Sequence, residues 1–317
     1  MTNAQEATPV VYKGLEFPKL PYASHWVEVN GVKIHYIDVG DPKADPILFL
    51  HGIPTWLYIW RNVIPVVQPA GRVIAMDFPG FGRSDKVTNV KPETAYDFAS
   101  QRVYLEGFIN VLQLKKITLV VQDIGSVVGF DYASNHEDNI KGIVFMEAGI
   151  PPYFPPSPAA MKTMPQQLAE FFSLMNTPGI GEEALLNQDM FIESVLPGNV
   201  VRKLTQEELD AYRAPFPTPN DRLSILWGGP RNLANPKSVE IMAHYVAWMS
   251  KTKVPMLQLY VEPGSISPKG SVDWAKANIK NLSQVFLGKG THFIQEDYPQ
   301  EIGKAIVEWM TRVLKTQ

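Results

Sequence analysis

Four short, nearly continuous apolar runs constrain this chain most: Pro46–Leu50, Val73–Met76, Ile117–Val121 and Ile143–Met146. Each is too short for a self-sufficient helix and lacks the alternation of a half-exposed strand, so each reads as a strand covered on both faces. Helix-length segments at 56–68 and 94–114 lie between them. Parallel strands need crossovers of that length, so the rhythm predicts a β-α-β sheet with helices on both faces. Ahead of it, Trp26–Val29 and Val32–Ile37 flank Asn30-Gly31, a dipeptide suited to the positive backbone angles of a tight hairpin.

The rhythm stops at Gly149. The stretch Pro151–Pro158, with five prolines in eight residues, is compatible with neither a helix interior nor a central strand. Helical patterns rich in Met, Phe and Leu follow to about Leu226, and these predict an inserted helical cap over 149–226. The strand–helix rhythm returns with a helix at 236–250, a strand at Met256–Val261, another helix, a strand at Val285–Leu287 and a last helix from Glu301 to Leu314. Residues 1–148 and 227–317 then form one core domain.

Composition narrows the function. Of 317 residues, 45% are hydrophobic and 19% charged, which supports a large core. The net charge of −3 offers no basic field for nucleic acid or an anionic membrane. Cysteine is absent, which removes disulfides, thiolate nucleophiles and Cys-based metal sites together. Met1–Pro9 is polar and has no apolar core of a secretory signal, and no run approaches the length of a membrane helix. The expectation is a cytoplasmic monomer or homodimer that takes a small apolar organic substrate and needs neither cofactor nor metal.

The chemistry centres on Leu119-Val120-Val121-Gln122-Asp123-Ile124-Gly125-Ser126, a buried strand that meets a helix through an acid and a glycine. That is the pattern of a nucleophile elbow, in which a strained turn lifts one side chain above the sheet. A helix N-cap accounts equally well for an isolated Asp in this position. Two further segments favour the elbow. His51-Gly52-Ile53-Pro54 follows a core strand, where a loop can aim the Ile53 backbone N–H, together with that of Ile124, at developing negative charge. His292 follows the last strand on a glycine-loosened loop, as a general base would. His25, His35, His136 and His244 fall in hairpin or helical patterns and read as structural or surface residues. Two acids could orient the imidazole, Glu147 at the end of the fourth buried strand and Glu262 at the end of the strand after the cap; Glu147 is preferred.

These segments together resemble the haloalkane dehalogenases, in particular the branch that also holds marine coelenterazine luciferases. The resemblance rests on HGIPTWLYIWRNVIP (51–65), DFPGFGRSD (77–85), VVQDIGS (120–126), FMEA (145–148), EPG (262–264) and GTHFIQEDYPQEIG (290–303), and runs from about Phe17 to Leu314. It implies an α/β-hydrolase fold, a mostly parallel eight-stranded sheet with an inserted cap. It also implies Asp123 as nucleophile, His292 as base and Glu147 as acid. The chain departs from the family where the leaving halide is usually held, by a tryptophan after the nucleophile and often an asparagine in the H-G-x-P loop. Here those positions are Ile124 and Ile53, which have no side-chain donor. An epoxide, whose strained ring needs no halide pocket, is therefore the expected electrophile, as in the neighbouring epoxide hydrolases, with either hydrolysis or a non-hydrolytic rearrangement or cyclisation. The remaining readings are a dehalogenase with relocated donors and a non-catalytic binding protein on the same fold. Tyr153, Tyr212 and Tyr245 are the candidates for an acidic O–H. Trp56, Trp227 and Phe172, with the Met- and Phe-rich cap, are the candidates for the pocket wall.

Overall fold

In the computed structural model, which describes residues 8–233 and 235–314, the chain enters the fold through β1 (His25–Val29) and β2 (Val32–Gly40). Of the polar stretch Met1–Pro9, residues 1–7 lie outside the described residues. Asn30 and Gly31 both take positive φ, 50° and 78°, as the hairpin signal required. The four apolar runs become β3 (Pro46–Leu50), β4 (Arg72–Met76), β5 (Ile117–Asp123) and β6 (Ile140–Ala148). All five residues of β3 and the first six of β5 are buried, so the centre of the sheet is covered on both faces. With β7 (Met256–Pro263) and β8 (Leu282–Gly290) the sheet has eight strands in the order β1-β2-β4-β3-β5-β6-β7-β8. Only the β1–β2 and β2–β4 pairings are antiparallel. This is the α/β-hydrolase sheet.

Helices α1 (Phe98–Val111) and α2 (Ile124–Asn135) are the crossovers on either side of β5. The segment at 56–68 is not one helix. It forms a turn at Leu57–Trp60 and a second at Ile64–Val67, because Pro65 cannot donate a backbone hydrogen bond and the Leu57 N–H is taken at 2.8 Å by the Asp77 carboxylate.

Between β6 and β7 the described residues form helices and turns and no strand. They include α3 (Gln166–Asn176), α4 (Gln206–Arg213) and α5 (Pro236–Met249), joined by shorter turns, two of them in the wide π conformation at Glu183–Asn187 and Phe191–Val195. The expected limit at 226/227 falls inside the helical turn Leu223–Gly228. After β7 come α6 (Lys269–Asn278) and, after β8, α7 (Pro299–Trp309). No helix among the described residues is long and apolar enough to cross a membrane.

The sheet's C-terminal edge holds the polar groups the core cannot absorb. Asp123 ends β5, Glu147 is next to last in β6, and His292 lies just beyond β8. In open α/β sheets this edge is where ligands bind.

Candidate active site

Asp123 sits at φ 53°, ψ −128°, a backbone conformation that L side chains rarely adopt, with a register shift of the β5–β6 ladder immediately before it. The strain persists because its surroundings leave no alternative. A Cβ on Gly52 would come within 2.3 Å of the Asp123 Cβ, and one on Gly125 within 2.6 Å of the Leu50 and His51 carbonyl oxygens. Strand end, loop and helix start therefore meet with no room for a side chain between them. The Ile53 N–H donates to Asp123 Oδ1 at 2.8 Å. Ile124 opens α2, so its N–H belongs to the helix's unpaired first turn.

His292 joins the two carboxylates. Its Nδ1 lies 3.1 Å from Glu147 Oε2 and its Nε2 lies 3.4 Å from Asp123 Oδ2, with the Gln122 amide nitrogen 3.0 Å from the same Nε2. Glu147, 4% exposed, also accepts the backbone N–H groups of Ser265 at 3.0 Å and Ile266 at 2.9 Å, so its buried charge is satisfied three times over. Glu262 is exposed on β7. The imidazole faces Glu147. Burial alone would depress the His292 pKa, but hydrogen bonding and charge from Asp123 and Glu147 outweigh it and raise the value to about 9. At neutral pH the imidazole is therefore protonated between two carboxylates.

Above this group lies a chamber of about 450 Å³. Ile53, Asp123, Ile124 and Val127 form its floor, and Phe154, Leu168, Phe171, Phe172 and Phe191 line it from the helical insertion. The phenylalanines meet edge to face, Phe171 with Phe172 at 5.7 Å and with Phe191 at 5.6 Å, which makes a rigid apolar wall. Thr291, Ser265, Asn199 and Gln167 contribute its remaining hydrogen-bonding side chains. Among the described residues no cluster of three or more His, Asp or Glu could hold a metal ion.

The pocket candidates divide sharply. Phe172 lines the chamber; Trp56, Trp227, Tyr153, Tyr212 and Tyr245 do not. The Trp56 indole is fully buried and donates to the Ala211 carbonyl at 2.9 Å. Trp227 lies beneath the Arg231 guanidinium, 5.4 Å away. The Tyr212 hydroxyl donates to Glu296 and the Tyr245 hydroxyl to the Gly149 carbonyl, and burial pushes both phenols above their ordinary pKa. Tyr153 rests its hydroxyl against Gly270, where an added Cβ would come within 2.9 Å. The Tyr212 and Tyr245 hydroxyls are thus committed to protein acceptors and that of Tyr153 packs against Gly270, and none of the three residues lines the chamber. Sequence reasoning also missed Leu168, Phe191 and Asn199 as chamber residues, since their positions depend on how the insertion folds back over the sheet. The neighbouring histidines are structural as expected where they are buried: His35 Nδ1 lies 2.7 Å from Asp77.

Comparison with known proteins agrees with this architecture. The family model described as the alpha/beta hydrolase fold matches residues 45–179. A haloalkane dehalogenase from Sphingobium indicum is 37% identical over 295 residues, covering 91% of this chain and 95% of the relative. One from Mesorhizobium japonicum is 37% identical over 289 residues, covering 88% of each. The crystal structure of a haloalkane dehalogenase from Bradyrhizobium elkani superposes with a TM-score of 0.86 at 32% identity, over 93% of this chain and 99% of that one. That of a putative ancestral haloalkane dehalogenase superposes at 0.83 with 35% identity, over 92% and 100%. An identity of 37% across nearly the full length of both chains, on a shared eight-stranded sheet, makes this protein an enzyme of the haloalkane dehalogenase-like α/β-hydrolase family.

Proposed function

We propose that this enzyme opens a lipophilic epoxide through a covalent ester on Asp123, with His292 and Glu147 completing the catalytic group and residues 149–226 acting as the cap. The observation that carries the reading is the apolar floor of the chamber. Ile53 and Ile124, 3% and 5% exposed, flank the Asp123 carboxylate where a departing halide would need side-chain N–H groups. A preorganised donor of that kind lowers a reaction barrier by about 3 kcal/mol, and two are missing.

The chemistry follows from the charges. Asp123, ionised beside the protonated imidazole, attacks an epoxide carbon; the C–O bond breaks and an alkyl ester forms. The new alkoxide takes its proton from His292, whose imidazolium is the acidic N–H of the chamber. Esterification removes the Asp123 charge, and with it one of the two supports for the raised His292 pKa. His292 becomes neutral at the stage where a base is needed. It then takes a proton from water, hydroxide adds to the ester carbonyl, and the diol leaves as Asp123 and imidazolium are restored. If a substrate hydroxyl replaces water and attacks the alkyl carbon, the same proton transfer gives a ring-closed isomer. In the hydrolytic route the Ile53 and Ile124 N–H groups face the ester oxyanion.

Dehalogenation remains the second reading, supported by the names of the relatives. The tryptophans that could have supplied relocated donors lie outside the chamber. One comparison separates the two. Lipophilic epoxides such as a styrene oxide or a terpene epoxide are expected to turn over, with products heavier by one water or unchanged in mass. 1-Bromobutane and 1,2-dibromoethane are expected to release bromide at least about 10²-fold more slowly. Rapid bromide release with inert epoxides would overturn the proposal.

A further inference from the structure

Beyond Asp123 and His292 the chamber has few hydrogen-bonding side chains. Around the elbow, Ile53, Ile124 and Val127 present none, and Gln167 stands on α3. Three others belong to segments tied to the surroundings of His292. Thr291 precedes it in the chain, Ser265 donates its backbone N–H to Glu147, and Asn199 accepts the Phe293 N–H on its carbonyl at 3.1 Å. Asn199 is the informative one. It follows the helical turn Leu196–Gly198 in the insertion, yet its backbone is tied to the residue after the imidazole. One hydrogen of its Nδ2 goes to the Val195 carbonyl at 2.9 Å. The second hydrogen and Oδ1 have no protein partner among the described residues. A primary amide on the wall of an apolar chamber, with a donor and an acceptor to spare, is free to meet a polar group that enters the chamber.

We infer that Asn199 is a specificity-determining residue that receives a hydroxyl or carbonyl oxygen of the substrate beside His292. The ligand is then a lipophile that carries one hydrogen-bonding oxygen besides its reacting centre. The amide suits either group, since its N–H can donate to a carbonyl and its Oδ1 can accept from a hydroxyl. The aromatic wall takes the hydrocarbon body. Where the reacting group is an epoxide, this assignment rests on the reading above and narrows its substrates to epoxy-alcohols and epoxy-ketones. It also places a substrate hydroxyl within the region His292 serves, as ring closure would require.

Binding tests this without any turnover. Phenylcyclohexane, 4-phenylcyclohexanol and 4-phenylcyclohexanone share one body and contain no epoxide or halide carbon that could alkylate Asp123. Asn199→Leu, which keeps the branched heavy-atom shape but makes no hydrogen bonds, is expected to weaken binding of the alcohol and the ketone by about 3- to 10-fold, the range of one neutral hydrogen bond, and to leave the hydrocarbon unchanged or tighter. Asn199→Asp, which keeps the shape and acceptor oxygen but loses the N–H, is expected to weaken the ketone more than the alcohol. Thermal unfolding of each variant shows whether it has folded. Equal changes for all three ligands, no change for the oxygenated pair, or no binding of that pair to the unaltered protein would overturn the assignment. Inert epoxides together with the expected binding pattern would overturn the epoxide reading and leave Asn199 in place.

Discussion

At Asp123 the backbone is held at φ 53° while its carboxylate faces one imidazolium and one peptide N–H. Asp123→Asn preserves that geometry and removes the negative charge that the proposed attack on carbon needs, so turnover is expected to fall by at least about 10³-fold with folding intact, measured as kcat and thermal midpoint. His292 gives the site a pH signature. Its folded-state pKa of about 9 lies above the ordinary 6.5, so its contribution to stability is complete below about pH 6.5 and is lost as pH rises through 9. The thermal midpoint is expected to drop over that window, and His292→Gln to flatten the drop; an unchanged slope in the variant would show that the ion pair is not its source. The floor can be tested by substitution. Ile53→Asn with Ile124→Trp places two side-chain donors at the chamber floor and is expected to raise bromide release from 1-bromobutane by about 10²-fold or more. Residues on short motifs, Asp123, Glu147 and His292, could be placed from sequence because a tight turn or a strand end fixes each one locally. Tyr153, Tyr212, Tyr245, Trp56 and Trp227 could not, because nothing local says which way an aromatic ring in or beside the insertion will point.

At the level of elements, a buried charge network fastens the insertion to the core. Arg61, from the turn region after β3, reaches Glu296 at 2.6 Å and Glu208 of α4 at 2.7 Å, while Arg202 and Tyr212 of the insertion also bond Glu296. The Glu296 side chain has no exposure, so removing its charge leaves Arg61 nearly buried without its closest partner. Glu296→Leu is expected to cost about 3–5 kcal/mol in urea unfolding, and adding Arg61→Met to recover much of that, since a buried pair is worth less than the penalty of breaking it. Strictly additive losses would contradict this. Strands β3 to β6 could be read in the sequence because continuous apolar runs have few other structures open to them. The 56–68 segment could not, because Pro65 and the capture of the Leu57 N–H by Asp77 divide what looks periodic. The insertion's π turns at Glu183–Asn187 and Phe191–Val195 have no sequence signature, yet the second carries Phe191 into the chamber wall.

For the whole molecule, one strained edge of an α/β-hydrolase sheet brings Asp123, His292 and Glu147 together, and a helical insertion closes an apolar volume over them. The charges at that edge suit displacement at carbon; the apolar floor disfavours a halide as the group displaced. Both parts of that claim bear on the ester at Asp123, which acid quenching during turnover should capture with His292 in place, since the imidazole that protonates the alkoxide must still activate water before the ester is lost. The unaltered enzyme, quenched separately after mixing with a lipophilic epoxide and with 1-bromobutane, can be read by intact-protein mass and then by peptide mass. The expected result is a shift equal to the epoxide's full mass on the peptide holding Asp123, with little or no butyl adduct. A butyl adduct on Asp123 with no epoxide adduct, or an adduct on a different residue, would contradict it.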